Sequence, residues 1–133
     1  MPRPRSSHPT ERELEILTLL WESGPQELGQ VCASIRERRE VATTTVATML
    51  SVMLEKGMVK RRQGTRAYVW SARRSQETVT RGILGQIIDR AFAGSAARLV
   101  AQLVQEGRLS AGEREQIRKL LDDDGGKRGE SKS

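Results

Sequence analysis

Residues 43–70 read TTTVATMLSVMLEKGMVKRRQGTRAYVW, and this stretch decides the fold. Its first half predicts a helix with one buried face, because apolar residues recur at the spacing of a helix with about 3.6 residues per turn. These residues are Val46, Met49, Leu50, Met53 and Leu54. Gly57 then suits the left-handed conformation that ends helices, so the helix is predicted to close there.

Four threonines of this helix lie outside the apolar stripe, namely Thr43, Thr44, Thr45 and Thr48. Consecutive β-branched residues lower helix propensity, so their presence near a helix start indicates that their hydroxyls and methyls are used. A threonine methyl can contact a thymine methyl while its hydroxyl bonds a base edge or a phosphate. We therefore expect this face to enter the major groove of DNA. The alternative is a solvated polar face with N-capping threonines.

The second half of the stretch predicts a β-hairpin. Val59 to Gln63 and Arg66 to Ser71 are rich in Val, Tyr, Trp and Arg, and Gly64-Thr65 forms the expected turn between them. Its basic side chains are expected to contact phosphates or the minor groove, and they are Lys60, Arg61, Arg62 and Arg66.

Strand alternation places Arg61 on the opposite face of this hairpin from Lys60 and Arg62. The same charges could instead serve only to keep an edge hairpin from pairing with other chains. Tyr68 and Trp70 are interpreted as hairpin core, with stacking on bases as the alternative.

Two further helices are predicted upstream of the threonine-bearing one. Thr10 followed by Glu13 is a capping-box signature, and apolar residues continue at helical spacing until Gly24-Pro25. A second, shorter stripe then follows, consisting of Leu28, Val31, Cys32 and Ile35. Three helices followed by a hairpin predict a mainly α fold with a small β-hairpin, the winged helix-turn-helix.

From residue 75 onward the pattern is helical, with apolar stripes too broad for three short helices to bury alone. We expect them to form a dimer interface, and the residues are Ile83, Leu84, Ile87, Ile88, Ala91, Phe92, Leu99, Val100, Leu103, Val104, Ile117, Leu120 and Leu121. The expected organisation is a flexible basic tail over residues 1–9, a DNA-binding domain over 10–74, a helical dimerisation domain over 75–122 and a flexible tail over 123–133.

Charge and composition favour a nucleic-acid partner over catalysis. The chain of 133 residues carries a net charge of +6, and residues 1–74 hold 13 Lys and Arg against 8 Asp and Glu. The only histidine, His8, lies in the N-terminal segment, and the only cysteine, Cys32, lies on a core stripe. No catalytic or metal-binding constellation forms from these residues, so we expect no enzyme activity and no cofactor.

The same composition indicates a cytoplasmic protein without membrane insertion. One cysteine rules out an internal disulfide, which fits a reducing compartment. No apolar run approaches the roughly 18 residues of a membrane span.

In the order of its elements and in several sequence segments, the chain resembles the penicillinase and methicillin-resistance repressors, the BlaI/MecI/CopY type. The similar segments are PTERELEILTLLWESGP from residue 9, TTTVATMLSVMLEKGMVKRR with GTRAYVW, and LVAQLVQEGRLSAGEREQIRKLL from residue 99. The resemblance implies a homodimeric winged-helix repressor that occupies dyad operators of resistance or stress operons.

The resemblance also implies release from DNA by proteolysis, triggered by a membrane-bound sensor metalloprotease. The family's cleaved Asn-Phe pair falls on Gln102-Leu103, so the cleavage motif itself is missing here. The paired C-x-C metal motifs of the copper-responsive members are also missing.

We therefore expect a dimeric, sequence-specific transcriptional repressor bound to palindromic double-stranded DNA. The alternative is a winged-helix module that binds another protein without contacting DNA, because one fold can serve either role.

Overall fold

The computed structural model describes residues 8–132, with side chains described for residues 8–124. The elements in chain order are α1 (Glu11–Ser23), β1 (Gln26–Glu27), α2 (Leu28–Arg36), α3 (Thr43–Glu55), β2 (Val59–Gln63), β3 (Tyr68–Ala72), α4 (Gln76–Ala91), α5 (Ala96–Gln105) and α6 (Ala111–Lys132). The mainly α fold with a small antiparallel sheet confirms the predicted winged helix-turn-helix. The tails predicted over residues 1–9 and 123–133 fall largely outside the part with described side chains.

Helix α1 begins and ends where local chemistry predicts. The backbone N–H of Glu13 donates to the Thr10 hydroxyl at 3.2 Å, and the backbone N–H of Thr10 donates to the Glu13 carboxylate at 2.9 Å. This capping box satisfies two N–H groups that a helix start otherwise leaves without partners. At the other end, Gly24 adopts a φ of 79° and donates its N–H to the Leu20 carbonyl, which closes the helix after Ser23.

Helix α3 ends in a tight reversal that leads directly into β2. Gly57 has a φ of 79°, and the N–H of Met58 donates to the Met53 carbonyl at 2.9 Å. The N–H of Gly57 donates to the Leu54 carbonyl at 3.1 Å, which completes a Schellman motif. The predicted closure at Gly57 is confirmed, and the reversal fixes where the hairpin leaves the helix.

The sheet has the strand order β1-β3-β2, and all pairs are antiparallel. Strand β1 was not predicted, because its two residues are too few to show alternation. Its residue Gln26 pairs with Trp70 and thereby attaches the hairpin to the segment that precedes α2.

The hairpin turn is longer than predicted. Strand β3 begins at Tyr68, so the predicted strand start at Arg66 is wrong and Arg66 lies in the turn. The N–H of Gly64 donates to the Ala67 carbonyl at 2.9 Å. A Cβ atom at Gly64 would lie 2.5 Å from that same carbonyl oxygen, so the turn requires glycine there.

One hydrophobic core holds α1, α2, α3 and the hairpin together. Its buried members are Ile16, Leu17, Leu19, Leu20, Val31, Cys32, Ile35, Val46, Leu50, Met53, Val59 and Trp70. The predicted apolar stripe of α3 is confirmed, with Met49 and Leu54 partly buried against this cluster. Cys32 is buried among apolar residues, as predicted.

Trp21 connects the end of the hairpin region to α1. Its indole N–H donates to the carbonyl of Arg74 at 2.9 Å. Because Arg74 comes just before α4, this bond fixes the chain at the exit of the sheet.

The chain divides into two compact units between Leu84 and Gly85. The division lies within α4, later than the boundary at residue 75 that the sequence indicates. We call them the N-terminal unit and the C-terminal unit. In the C-terminal unit, none of the described residues 85–124 is buried.

Candidate nucleic-acid interface

The core of the N-terminal unit fixes which face of α3 points outward. Val46, Leu50 and Met53 are fully buried, so they hold the helix on the core by one side. The residues that we call the threonine face are all exposed, and they are Thr43, Thr44, Thr45 and Thr48. The structure therefore brings the four predicted threonines onto the solvent side of one rigid helix.

The start of α3 is held by an arginine and not by a threonine cap. Ala42 is the N-cap residue and makes no side-chain cap, which contradicts the alternative that threonines cap this helix. Arg36 instead donates from Nε to the Val41 carbonyl at 3.0 Å and from Nη2 to the Thr43 hydroxyl at 2.7 Å. This pair of bonds fixes the turn between α2 and α3 and orients the first threonine. The sequence pattern did not single out Arg36.

The exposed side of α3 extends further along the helix than the threonines. Ser51 and Val52 are exposed, and Val52 keeps 38% of its surface accessible. Val52 follows Thr45 and Thr48 at the spacing of neighbours on one helix face. Val52 lies off the buried stripe, so the sequence pattern was enough to indicate that this apolar side chain is exposed on the same side as the threonines.

All four predicted basic residues of the hairpin are exposed, and three of them make no contact with an aromatic ring in the described part of the chain. Lys60 and Arg62 lie on β2, and Arg66 lies in the turn. The Arg66 guanidinium lies 3.6 Å from the Glu27 carboxylate, with 83% of the Arg66 side chain exposed. An exposed ion pair of this kind contributes at most about 1 kcal/mol, so it leaves Arg66 able to exchange partners.

Arg61 is placed differently from the other three. Its guanidinium carbon lies 4.0 Å from the centre of the Tyr68 ring and 5.5 Å from the centre of the Trp70 ring. Trp70 is buried as predicted, whereas Tyr68 remains 41% exposed, so the expectation that Tyr68 is core is wrong. Tyr68 pairs with Gln63 and lies directly next to the hairpin turn.

Two other cations of the N-terminal unit are bound to carboxylates of α1. Lys56 donates to Glu13 at 2.8 Å, and Arg39 donates to Glu15 at 2.7 Å. Burial on its own raises the pKa of Glu13, but the hydrogen bond and charge of Lys56 together with the bonds from Thr10 hold that pKa below its ordinary value. These pairs tie α1 to the end of α3 and to the turn before it, so they orient the threonine face.

The predicted interface residues of the C-terminal half fall into two groups by exposure. Leu84, Ile87, Ala91, Val100, Val104, Leu120 and Leu121 are exposed, whereas Ile83, Ile88, Phe92, Leu99, Leu103 and Ile117 are half-buried. Within the C-terminal unit, α5 and α6 form a groove of about 280 Å³ with apolar walls. Its lining includes Val100, Val104, Ile117 and Leu121, with Arg114 and Arg118 also in the lining.

The pair Gln102-Leu103 lies inside α5. The Gln102 side chain is exposed and donates to the Glu106 carboxylate at 2.8 Å, whereas Leu103 is half-buried. The predicted cleavage equivalent is therefore a helical segment in this structure.

Among the described residues, no group of three or more histidine, cysteine or acidic side chains is arranged to hold a metal ion. Within the same part of the chain, every helix is too short or too polar to cross a bilayer.

Residues 9–123 match the penicillinase repressor family. The chain belongs to this family. The penicillinase repressor of Staphylococcus aureus is 19% identical over 111 residues, which cover 84% of this chain and 88% of the relative. The methicillin resistance regulatory protein MecI of Mammaliicoccus sciuri is 19% identical over 109 residues, which cover 82% and 89%. The family resemblance stated from the sequence is confirmed.

Two solved structures are similar to the chain. A transcriptional regulator from Thermotoga maritima has a TM-score of 0.49 and 19% identity, and the match covers 92% of this chain and 77% of that one. ZitR of Lactococcus lactis has a TM-score of 0.45 and 18% identity, with coverage of 92% and 78%.

Membership places the protein among transcriptional repressors that bind DNA and not among enzymes. The exposed threonine face and the basic hairpin are the parts of the N-terminal unit that fit such a role.

Proposed function

We propose that this penicillinase repressor family member is a homodimer that represses transcription by occupying a dyad operator in double-stranded DNA. The observation that supports this most directly is the threonine face, which a buried stripe on the opposite side of α3 holds toward solvent. A helix presented in this way fits the major groove, where side chains can distinguish all four base pairs.

In this proposal the threonine face reads bases and the hairpin holds the DNA backbone. Thr44 and Thr48 contact base edges, and Val52 extends the readout to thymine methyl groups. Lys60, Arg61, Arg62 and Arg66 contact phosphates or the minor groove, which positions the protein without specifying sequence.

In this proposal the C-terminal unit forms the contact between the two copies. Its apolar side chains lie at the surface of a single chain, and a two-fold symmetric partner would bury them on both subunits at once. Two threonine faces related by that symmetry require a palindromic operator, with half-sites separated by about one turn of DNA or a multiple of it. The repressor is expected to act in the cytoplasm, where the DNA lies.

Salt dependence of DNA binding tests the central claim. An operator is first selected from a pool of randomised duplexes, and its affinity is then measured by fluorescence anisotropy over a series of salt concentrations. Each neutralised phosphate should contribute about −0.9 to the slope of log affinity against log salt. Arg62→Ala removes one such contact from each subunit, so it should reduce the slope by about 1 per subunit, or about 2 for the proposed dimer.

Arg98→Ala is the matched control for that substitution, because Arg98 is an exposed arginine on α5 outside the proposed DNA surface. Its slope should equal that of the unsubstituted protein. Absence of any selected duplex, or an affinity indifferent to salt, contradicts DNA binding and favours the alternative of a protein-binding module.

Derepression by a membrane-bound sensor metalloprotease belongs to the same proposal. The bond Gln102-Leu103 lies in a helix of the C-terminal unit, whose described residues 85–124 are all at least partly exposed, so the local unwinding that cleavage requires is less costly there than in the N-terminal core. Incubation with membranes that contain the sensor, followed by mass spectrometry of the fragments, checks this. Cleavage at this bond gives a C-terminal fragment that begins at Leu103. A C-terminal fragment that begins elsewhere, or an intact chain, contradicts it.

A further inference from the structure

A cation stacked on an aromatic pair distinguishes one hairpin arginine from its neighbours. The Arg61 guanidinium lies over the Tyr68 ring at 4.0 Å and near the Trp70 ring at 5.5 Å. The two rings meet edge to face, with their centres 6.4 Å apart and their planes at 68°. Arg61 is thus held by two aromatic side chains of the adjacent strand.

The strand register produces this arrangement. Arg61 pairs directly with Trp70, and Gln63 pairs with Tyr68, so Tyr68 is the diagonal neighbour of Arg61 on the same face. Buried Trp70 anchors the aromatic pair, while half-exposed Tyr68 offers its ring as an open platform.

A guanidinium that lies over a ring can use its face for the ring and its edge for another ligand. The N–H groups of an arginine point outward in the guanidinium plane, so an arginine lying on a ring still presents a fork of donors for a phosphate or a base edge. A long side chain that is ordered before binding loses less conformational entropy when it meets its ligand. Lys60 and Arg62 lie on the opposite face and lack this support.

We propose that Tyr68 is a positioning residue for DNA binding, which holds the Arg61 guanidinium in one orientation so that Arg61 is the preorganised DNA contact of the hairpin. Lys60 and Arg62 then act as mobile charges whose contribution is electrostatic. This inference rests on the proposed function, because it assigns roles within the same DNA-binding surface.

The test measures the affinity of the intact protein for its selected operator duplex by fluorescence anisotropy at fixed salt. Tyr68→Leu should weaken binding about three- to tenfold, the range expected when one long side chain must be immobilised on binding. Tyr68→Phe keeps the ring and should bind like the unsubstituted protein. Arg61→Lys keeps the charge but loses the planar group, and it should show the same loss as Tyr68→Leu.

Two further readouts separate positioning from a purely structural role. Tyr68→Leu should leave the salt slope unchanged because Arg61 keeps its charge, whereas Arg61→Ala removes one contact from each subunit of the proposed dimer and should reduce the slope by about 1.8. In the double variant, Tyr68→Leu should add no loss to that of Arg61→Ala, since the residue it positions is gone.

Several results overturn the inference. Equal losses from Tyr68→Leu with and without Arg61 would show that Tyr68 contacts DNA itself, and no loss in either Tyr68→Leu or Arg61→Lys would show that the stack is irrelevant to binding. If Tyr68→Leu also lowers the melting temperature markedly, its loss of affinity no longer separates positioning from folding. The affinity of Arg61→Lys then decides whether the inference holds, because this variant leaves both rings in place. Absence of salt-dependent binding by the unsubstituted protein would instead refute the proposed function.

Discussion

The two units of the chain differ in how far they bury their apolar side chains. Among its described residues 8–84, the N-terminal unit buries twelve apolar residues in one cluster. The C-terminal unit buries none of its described residues 85–124, although α5 carries a well-defined apolar face with exposed Val100 and Val104. A closed core can stabilise one unit, whereas the other keeps apolar side chains at its own surface.

This contrast fits the two proposed roles: the N-terminal unit holds the threonine face in place, and the C-terminal unit associates with a second copy. The threonine face lies on α3, and core packing together with the Glu13–Lys56 pair fixes the orientation of this helix within the N-terminal unit. In the proposed dimer, the C-terminal unit forms the contact between the two copies. The stability of the first unit should therefore be insensitive to protein concentration, and that of the second should depend on it.

The largest effect is expected from a charge in the exposed apolar face of α5. Val104→Glu would place two carboxylates in a symmetric interface, one from each subunit, and burying them unpaired costs several kcal/mol. Sedimentation velocity at micromolar concentration should show a monomer. Gln105→Glu, one residue further along the same helix, should remain a dimer, and a Val104→Glu dimer would place this face within the packing of one subunit.

The next largest effect is expected in the closed core. Leu50 is fully buried, so Leu50→Ala should cost about 3 kcal/mol of the free energy of unfolding, measured by urea denaturation. Ser51→Ala changes the neighbouring exposed residue and should cost less than about 0.5 kcal/mol. The loss from Leu50→Ala should be the same at all protein concentrations. A loss that varies with concentration would mean that the N-terminal unit also depends on the dimer.

A pH-dependent loss of about 2 kcal/mol is expected from Lys56→Met, which leaves the carboxylate of buried Glu13 without its cation. The folded protein holds the pKa of Glu13 below its ordinary value, so the stability from this pair is fully present above the ordinary pKa and is lost as the pH falls through the lowered one.

Urea denaturation at about pH 7 and about pH 3 checks this dependence. The difference between Lys56→Met and the unsubstituted protein should shrink in acid, because protonated Glu13 no longer attracts Lys56. Lys60→Met, which removes an exposed lysine on β2, should show little loss at either pH. An equal loss at both pH values would attribute the effect to packing of the lysine stem.

The smallest effect is expected in the turn after α4. Ala93 adopts a φ of 51°, a left-handed conformation that is costly for a residue with a side chain. Ala93→Gly should stabilise the C-terminal unit by about 0.5 kcal/mol, while Gly94→Ala, at a φ of 80°, should destabilise it by about 1 kcal/mol. Hydrogen exchange of the α5 amides measures both, and a destabilising Ala93→Gly would contradict the strain.

Local chemistry made much of the N-terminal fold predictable. The Thr10–Glu13 capping box, the apolar stripe of α3 and the closure at Gly57 each depend on residues within a few positions of one another. The same locality explains why the exposure of the threonine face could be predicted, since a stripe that is buried fixes the opposite side of its helix.

Features that depend on pairing between distant residues were not predictable. Strand β1 exists because Gln26 meets Trp70, and its two residues show no pattern of their own. The turn around Gly64 sets the register that pairs Arg61 with Trp70 and leaves Tyr68 as its diagonal neighbour, whereas a turn at residues 64–65 would pair Arg61 with Tyr68 directly. Arg36 was missed for a similar reason, because its role appears only when the turn before α3 has its final shape.

The placement of the aromatic side chains gives the two units different optical properties. Both tryptophans of the sequence, Trp21 and Trp70, and its one tyrosine, Tyr68, precede Leu84, where the N-terminal unit ends. Intrinsic tryptophan and tyrosine fluorescence will therefore record the melting of the N-terminal unit. To follow the C-terminal unit, and separation of the two copies in the proposed dimer, a dye or an introduced tryptophan beyond Gly85 is needed.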